Sequence, residues 1–117
     1  MKRFTLAIAT VAALVTAAPA FAHTAVRETN IAENATLARA PANFTIAFSG
    51  ATGLANVTLT DAAGRAVPLN YTPPRAMASS FAIPLPALAP GAYTLAWRTI
   101  AHDGHAMPGA VHFTISG

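Results

Sequence analysis

The residues able to do metal chemistry are few, and their positions are uneven. The chain has four histidines, His23, His102, His105 and His112, and no cysteine. Three of the four fall in the last sixteen residues. Without a thiolate, any metal must be held by imidazole, carboxylate, thioether or backbone groups. Asp103 and His105 stand two residues apart. In an extended stretch such residues point to the same side, so a carboxylate oxygen and an imidazole nitrogen converge on one point. Gly104 between them permits a tight backbone, and the same Asp-Gly pair also suits a plain hairpin turn.

His23 is a different kind of ligand. Were it the first residue of a processed chain, its free α-amine and its Nδ1 would close a six-membered chelate on one metal, with no folding needed to bring them together. Cu(II) favours tetragonal N,O coordination and heads the divalent affinity order, so it is the expected occupant. The plain alternative is that His23 is merely the residue after a cut. His102 precedes Asp103 by one residue and should face the other way if the strand continues. His112 is out of phase with Val111, Phe113 and Ile115 and should leave the core on the opposite face. Both read as surface histidines, with a supporting or weak extra ligand role as the sharper alternative. If the terminal chelate fails, His102, His105 and His112 become the alternative cluster.

The start of the chain makes processing at His23 the expectation. Met1-Lys2-Arg3, an apolar run from Phe4 to Ala18 and Pro19-Ala20-Phe21-Ala22 follow the layout of a secretory signal peptide. The run is short for a bilayer span, which needs about 20 residues; a retained membrane anchor is the lesser alternative. Cleavage after Ala22 divides the chain into a signal peptide, 1–22, and one domain, 23–117. It removes the only lysine and leaves five arginines against four acids, a net charge of +1. The basic character of the whole chain therefore says little about partners. No basic run or aromatic–basic interleaving points to nucleic acid. An exported domain without disulfides must rely on its apolar core; hydrophobic residues make up 54% of the whole chain, with part of that bias in the signal segment.

Short period-two runs must position these residues. Phe44, Ile46 and Phe48 alternate within Asn43 to Ser49; Val57, Leu59 and Asp61 follow, closed by a turn at Ala62-Ala63-Gly64. Phe81, Ile83 and Leu85 alternate, Pro90-Gly91 is a turn, and Tyr93, Leu95 and Trp97 lead to Ile100. Val111, Phe113 and Ile115 end the pattern. Strands of this kind with Gly and Pro turns predict an all-β sandwich or barrel, and nine prolines disfavour long helices. Asn70 to Ser80, with Pro73-Pro74, reads as an irregular loop. Tyr93, Leu95 and Trp97 read as core, and Met107 as packing or loop filler.

Taken together, these residues resemble the CopC family of periplasmic copper-resistance proteins. The resemblance rests on the mature start at His23, Pro41 before a strand ending Phe48-Ser49-Gly50, Gly91 to Arg98 with its Tyr-x-x-x-Trp-Arg spacing, and Asp103-Gly104-His105-x-x-Pro108-Gly109-x-x-x-Phe113. It implies an immunoglobulin-like, Greek-key β-sandwich of cupredoxin-like form. It implies a Cu(II) site made by the terminal amine and imidazole of His23 with Asp103 and His105. It also implies a monomeric periplasmic copper carrier or buffer, not an enzyme, that hands copper to an inner-membrane copper-transport protein or to outer-membrane resistance components.

Three departures stand out. Gly50 replaces an acid often found after the Phe-Ser pair. Ala106 replaces the proline usual after the motif histidine, with Pro108 two residues beyond it. The loop that is methionine-rich in some members holds only Met77, so no dedicated Cu(I) site is expected. Two other functions remain open at this point. A copper-dependent oxidative enzyme resembling a lytic polysaccharide monooxygenase shares the terminal histidine chelate, but the chain is short for it and an anionic ligand disfavours Cu(I). A metal-free adhesion-type sandwich survives if the cleavage site is wrong.

Overall fold

The structure, a computed structural model, describes residues 25–117. The expected signal peptide and His23 lie outside the described residues. Seven strands form: β1 (Val26–Thr29), β2 (Ala35–Leu37), β3 (Asn43–Asp61), β4 (Ala66–Val67), β5 (Ala78–Pro84), β6 (Gly91–Ile100) and β7 (Ala106–Ile115). There is no helix among the described residues. The all-β expectation holds.

The two alternating runs at Asn43–Ser49 and Val57–Asp61 are one strand of 19 residues, not two. The first half of β3 pairs antiparallel with β1 and β5, and its second half with β4 and β6. β6 pairs antiparallel with β7, and β2 runs parallel to the end of β7. The layers therefore share β3, and the sheet curls into a half-barrel. The pairing shifts register between Ala47 and Thr52 against β5, and between Leu54 and Asn56 against β6. Such irregularities bend a strand and increase its twist. Alternation is lost there in the sequence because the chain is changing layers. Thr52 is buried at the bend, with its hydroxyl donating to the Ile100 carbonyl at 3.3 Å.

The core forms where the alternation predicts it. Phe44, Ile46, Phe48, Leu59, Phe81, Ile83, Tyr93, Leu95, Trp97, Val111, Phe113 and Ile115 are all buried. Phe44 stacks on Trp97 at 5.7 Å and Tyr93 on Phe113 at 5.8 Å, while Phe48 meets Phe81 edge-on. Each such side chain contributes about 1.5–3 kcal/mol on burial. Tyr93 places its hydroxyl on the Ala89 carbonyl at 2.7 Å, which meets the demand of a buried phenol. Gly109 pairs with Trp97, and a methyl group on it would overlap Nε1 and Cε2 of the indole.

Three short elements, β1, β2 and β4, carry no alternating signal. β1 is exposed along most of its length and lies at the sheet edge. The expected loop at Asn70–Ser80 ends earlier, because β5 begins at Ala78. β7 begins five residues before Val111, since its upper half pairs with β6 although little of it is buried.

Candidate metal centre

Antiparallel pairing of β6 with β7 runs from Gly91–Ile115 to Ile100–Ala106 and leaves Ala101 to His105 as a connecting loop. The loop is closed by Ala101 N–H to the His105 carbonyl and by Gly104 N–H to the Ala101 carbonyl, both at 2.9 Å. Gly104 has φ of 91°. A turn followed by one left-handed residue is a common three-residue hairpin connection, and glycine takes that conformation without a Cβ penalty.

The turn brings Asp103 and His105 together. Asp103 Oδ1 accepts the His105 backbone N–H at 3.0 Å, and Asp103 Oδ2 lies 2.8 Å from His105 Nδ1. The two residues converge as the sequence predicts, but not by strand parity: β6 has ended at Ile100, and an Asp-anchored turn does the work. The hydrogen bonds from the His105 side chain and then from its backbone hold the Asp103 carboxyl below its ordinary range. His102 is exposed in the same loop and adds a weaker electrostatic pull in the same direction. The His105 and Asp103 side chains are 71% and 39% exposed, so an ion from solvent reaches both.

The N-terminal end of β1 is anchored near the bend of β3. Ala25 N–H donates to Ser49 Oγ at 2.9 Å, and its carbonyl accepts from Ser49 N–H at 2.8 Å. Four residues on, Gly53 of β3 pairs with Ile100, the last residue before the loop.

His112 lies elsewhere. It faces outward on β7, as the parity argument predicts, and is joined to Glu33 in the connection between β1 and β2. Glu33 Oε1 accepts the His112 backbone N–H at 2.7 Å, and Oε2 lies 2.9 Å from Nδ1. His112 lies seven residues beyond His105 along β7, about 23 Å at strand rise. The alternative cluster of His102, His105 and His112 is therefore not formed. No group of three or more metal-ligating His, Asp or Glu side chains occurs among the described residues.

Both methionines of the described residues approach the loop end. Met77 lines a cleft with Ile100 and Ala101, and Met107 pairs with Thr99 at the top of β6. Sequence separation hid that shared location. The Glu33–His112 pair was also missed, and no local signal could have revealed a contact 79 residues apart.

The model of the CopC domain matches residues 26–116. The chain belongs to the CopC family. The match covers the whole described fold, including the Asp103–His105 loop, and begins beyond His23. Among solved structures, this CopC-family chain is similar to CopC from Methylosinus trichosporium OB3b, with a TM-score of 0.66 and 21% identity over 80% of this chain and 94% of that one. It is also similar to PcoC, a methionine-rich copper resistance protein from Escherichia coli, with a TM-score of 0.56 and 22% identity over 80% and 99% of the two chains. At that identity the likeness bears on the fold. No curated protein matches the chain.

Proposed function

We propose that this CopC-family chain is a periplasmic copper-resistance protein that binds one Cu(II) through the α-amine and imidazole of His23 with Asp103 and His105. The observation that carries the reading is the Asp103–His105 edge. It holds a carboxylate oxygen and an imidazole nitrogen, two donors that suit Cu(II), at hydrogen-bond distance from each other. The separation of Oδ2 from Nδ1 is 2.8 Å. Copper would displace the proton that bridges them and take one carboxylate oxygen and one ring nitrogen as neighbouring ligands. Gly104 and the exposed side chains allow the small rotation this needs. Support for His23 comes from the anchoring of Ala25 at Ser49, four residues along β3 from the Gly53–Ile100 pair that precedes the loop.

Signal-peptide cleavage after Ala22 creates the chelating amine, so export and metal binding are linked. The ligands are hard or borderline N and O donors, which favours Cu(II) over Cu(I). The protein carries or buffers copper as a monomer and passes it to an inner-membrane copper-transport protein. No catalytic step is required of it.

The test is a competitive Cu(II) titration of protein whose N-terminus at His23 is established by intact mass. Beside it stand His105→Ala and a variant with one residue added before His23. Both variants should lose the tight equivalent, because the added residue turns the amine into an amide. Tight binding by the extended variant would overturn the terminal chelate, and exported protein starting at Thr24 or later would do the same.

A further inference from the structure

The bridge between Asp103 and His105 occurs a second time in this molecule, at Glu33 and His112. In both, one carboxylate accepts the histidine's backbone N–H through one oxygen and faces Nδ1 with the other. In both, the residue after the carboxylate is left-handed: Gly104 at φ 91° and Asn34 at φ 63°. The Glu33 edge is 2.9 Å, and its side chains are 54% and 55% exposed. The chemistry available to a metal is thus nearly the same at both places.

The connection bearing Glu33 is held firmly. Ile31 is fully buried beneath it. Asn30 bridges to Asn43 and Thr45, and Asn34 N–H donates to the His112 carbonyl at 2.6 Å. His112 also lines a shallow polar depression of about 410 Å³, with Asn34, Asp61, Thr94 and Thr114 around it. Glu33 does not line it; both side chains of the pair are about half exposed, so bulk solvent supplies the water molecules that an ion with two protein ligands must keep.

We propose that Glu33 and His112 form a second binding point for a borderline divalent ion of the Cu(II) class, about 23 Å from the loop site by strand rise. The ion takes Glu33 Oε2 and His112 Nδ1, the Nδ1 proton moves to Nε2, and water completes the shell. Two protein ligands make this site weaker than one that adds a terminal chelate. It fills only when copper exceeds one equivalent, which extends the buffering range of a single chain.

The probe is Cu(II) alone, added to isotopically labelled protein and followed by paramagnetic broadening of amide signals. The first equivalent should broaden Ala101 to Ala106. Further copper should broaden Glu33, Asn34, Thr94 and His112. His112→Ala should abolish the second effect and leave the first. Glu33→Gln keeps the side chain's size and should weaken the second site at least about tenfold, the lower range for loss of even a supporting partner. The variant extended before His23 should keep the second site, which separates failure of this proposal from failure of the terminal chelate. Absence of broadening near His112 in excess copper, or its persistence in His112→Ala, overturns the proposal.

Discussion

The loop at Asp103–His105 and the bridge at Glu33–His112 use the same four groups in the same way, yet they are assembled by different means. The first closes over two residues; the second closes over 79. In the loop, a turn alone sets the geometry: Gly104 takes a conformation that few residues accept, and the Asp103 carboxylate accepts the N–H of His105, two residues on. At Glu33, nothing local brings a histidine near. The buried Ile31, the Asn30 hydrogen bonds and the parallel pairing of β2 with β7 place the carboxylate over β7. One chemical device is therefore available by local and by global folding. The locally built copy follows Ile100, which pairs with Gly53 four residues along β3 from the Ala25–Ser49 contact.

The largest expected effect separates the two pairs by copper affinity. His105→Ala should weaken the tight Cu(II) equivalent by more than about a hundredfold, beyond the upper range for loss of a supporting partner. His112→Ala should leave that equivalent unchanged in the same competitive titration. Equal losses in the two variants would erase the distinction.

Next in size is a change in the strand that follows the His105 loop and bears His112. Gly109→Ala presses a methyl group into the Trp97 indole and should destabilise the fold by about 1–3 kcal/mol, the usual range for overpacking. Denaturant unfolding followed by Trp97 fluorescence would measure it. A neutral result would mean that β7 and the indole part at little cost.

Smaller again are the left-handed positions. Gly104→Ala meets no neighbouring atom, so its cost is the backbone penalty alone, about 1–2 kcal/mol. Asn34→Ala should cost less, because asparagine already tolerates that conformation only in part. Unfolding curves for the two variants would rank them.

The smallest effect is the pH dependence of the bridges themselves. Hydrogen bonds from the His112 backbone and side chain hold the Glu33 carboxyl below its ordinary range, and His105 does the same for Asp103. A carboxyl lowered on folding adds stability that is fully present above its unfolded value, about 4.3 for glutamate. That stability is lost as pH falls through the lower folded value. Glu33→Gln should therefore flatten the acid limb of the stability profile and leave it unchanged in shape near neutrality. An unaltered acid limb would mean that the Glu33 bridge does not persist in solution.

Much of the fold was legible because burial imposes a period of two. Every residue named for the core by alternation is buried, apart from Val57 and Leu85, which are half-buried at the margins. What was not legible had no such signature. β1 is an exposed edge, β2 and β4 are very short, and the bend in β3 interrupts the pattern where the strand changes partners. The convergence of Asp103 and His105 was anticipated on the wrong geometry. Strand parity and an Asp-Gly turn both bring i and i+2 together, and only the backbone path tells them apart.

By itself the sequence determined the buried face of each long strand, the turn at Asp103-Gly104-His105 and the outward direction of His112. Each depends on neighbours within a few residues, through side-chain alternation or a single permissive glycine. Only the tertiary structure decided that β3 spans both layers, that Met77 and Met107 approach one end, and that Glu33 meets His112. Those facts depend on which strands pair and in what register. Register is fixed by the joint burial of many side chains, so no single segment encodes it.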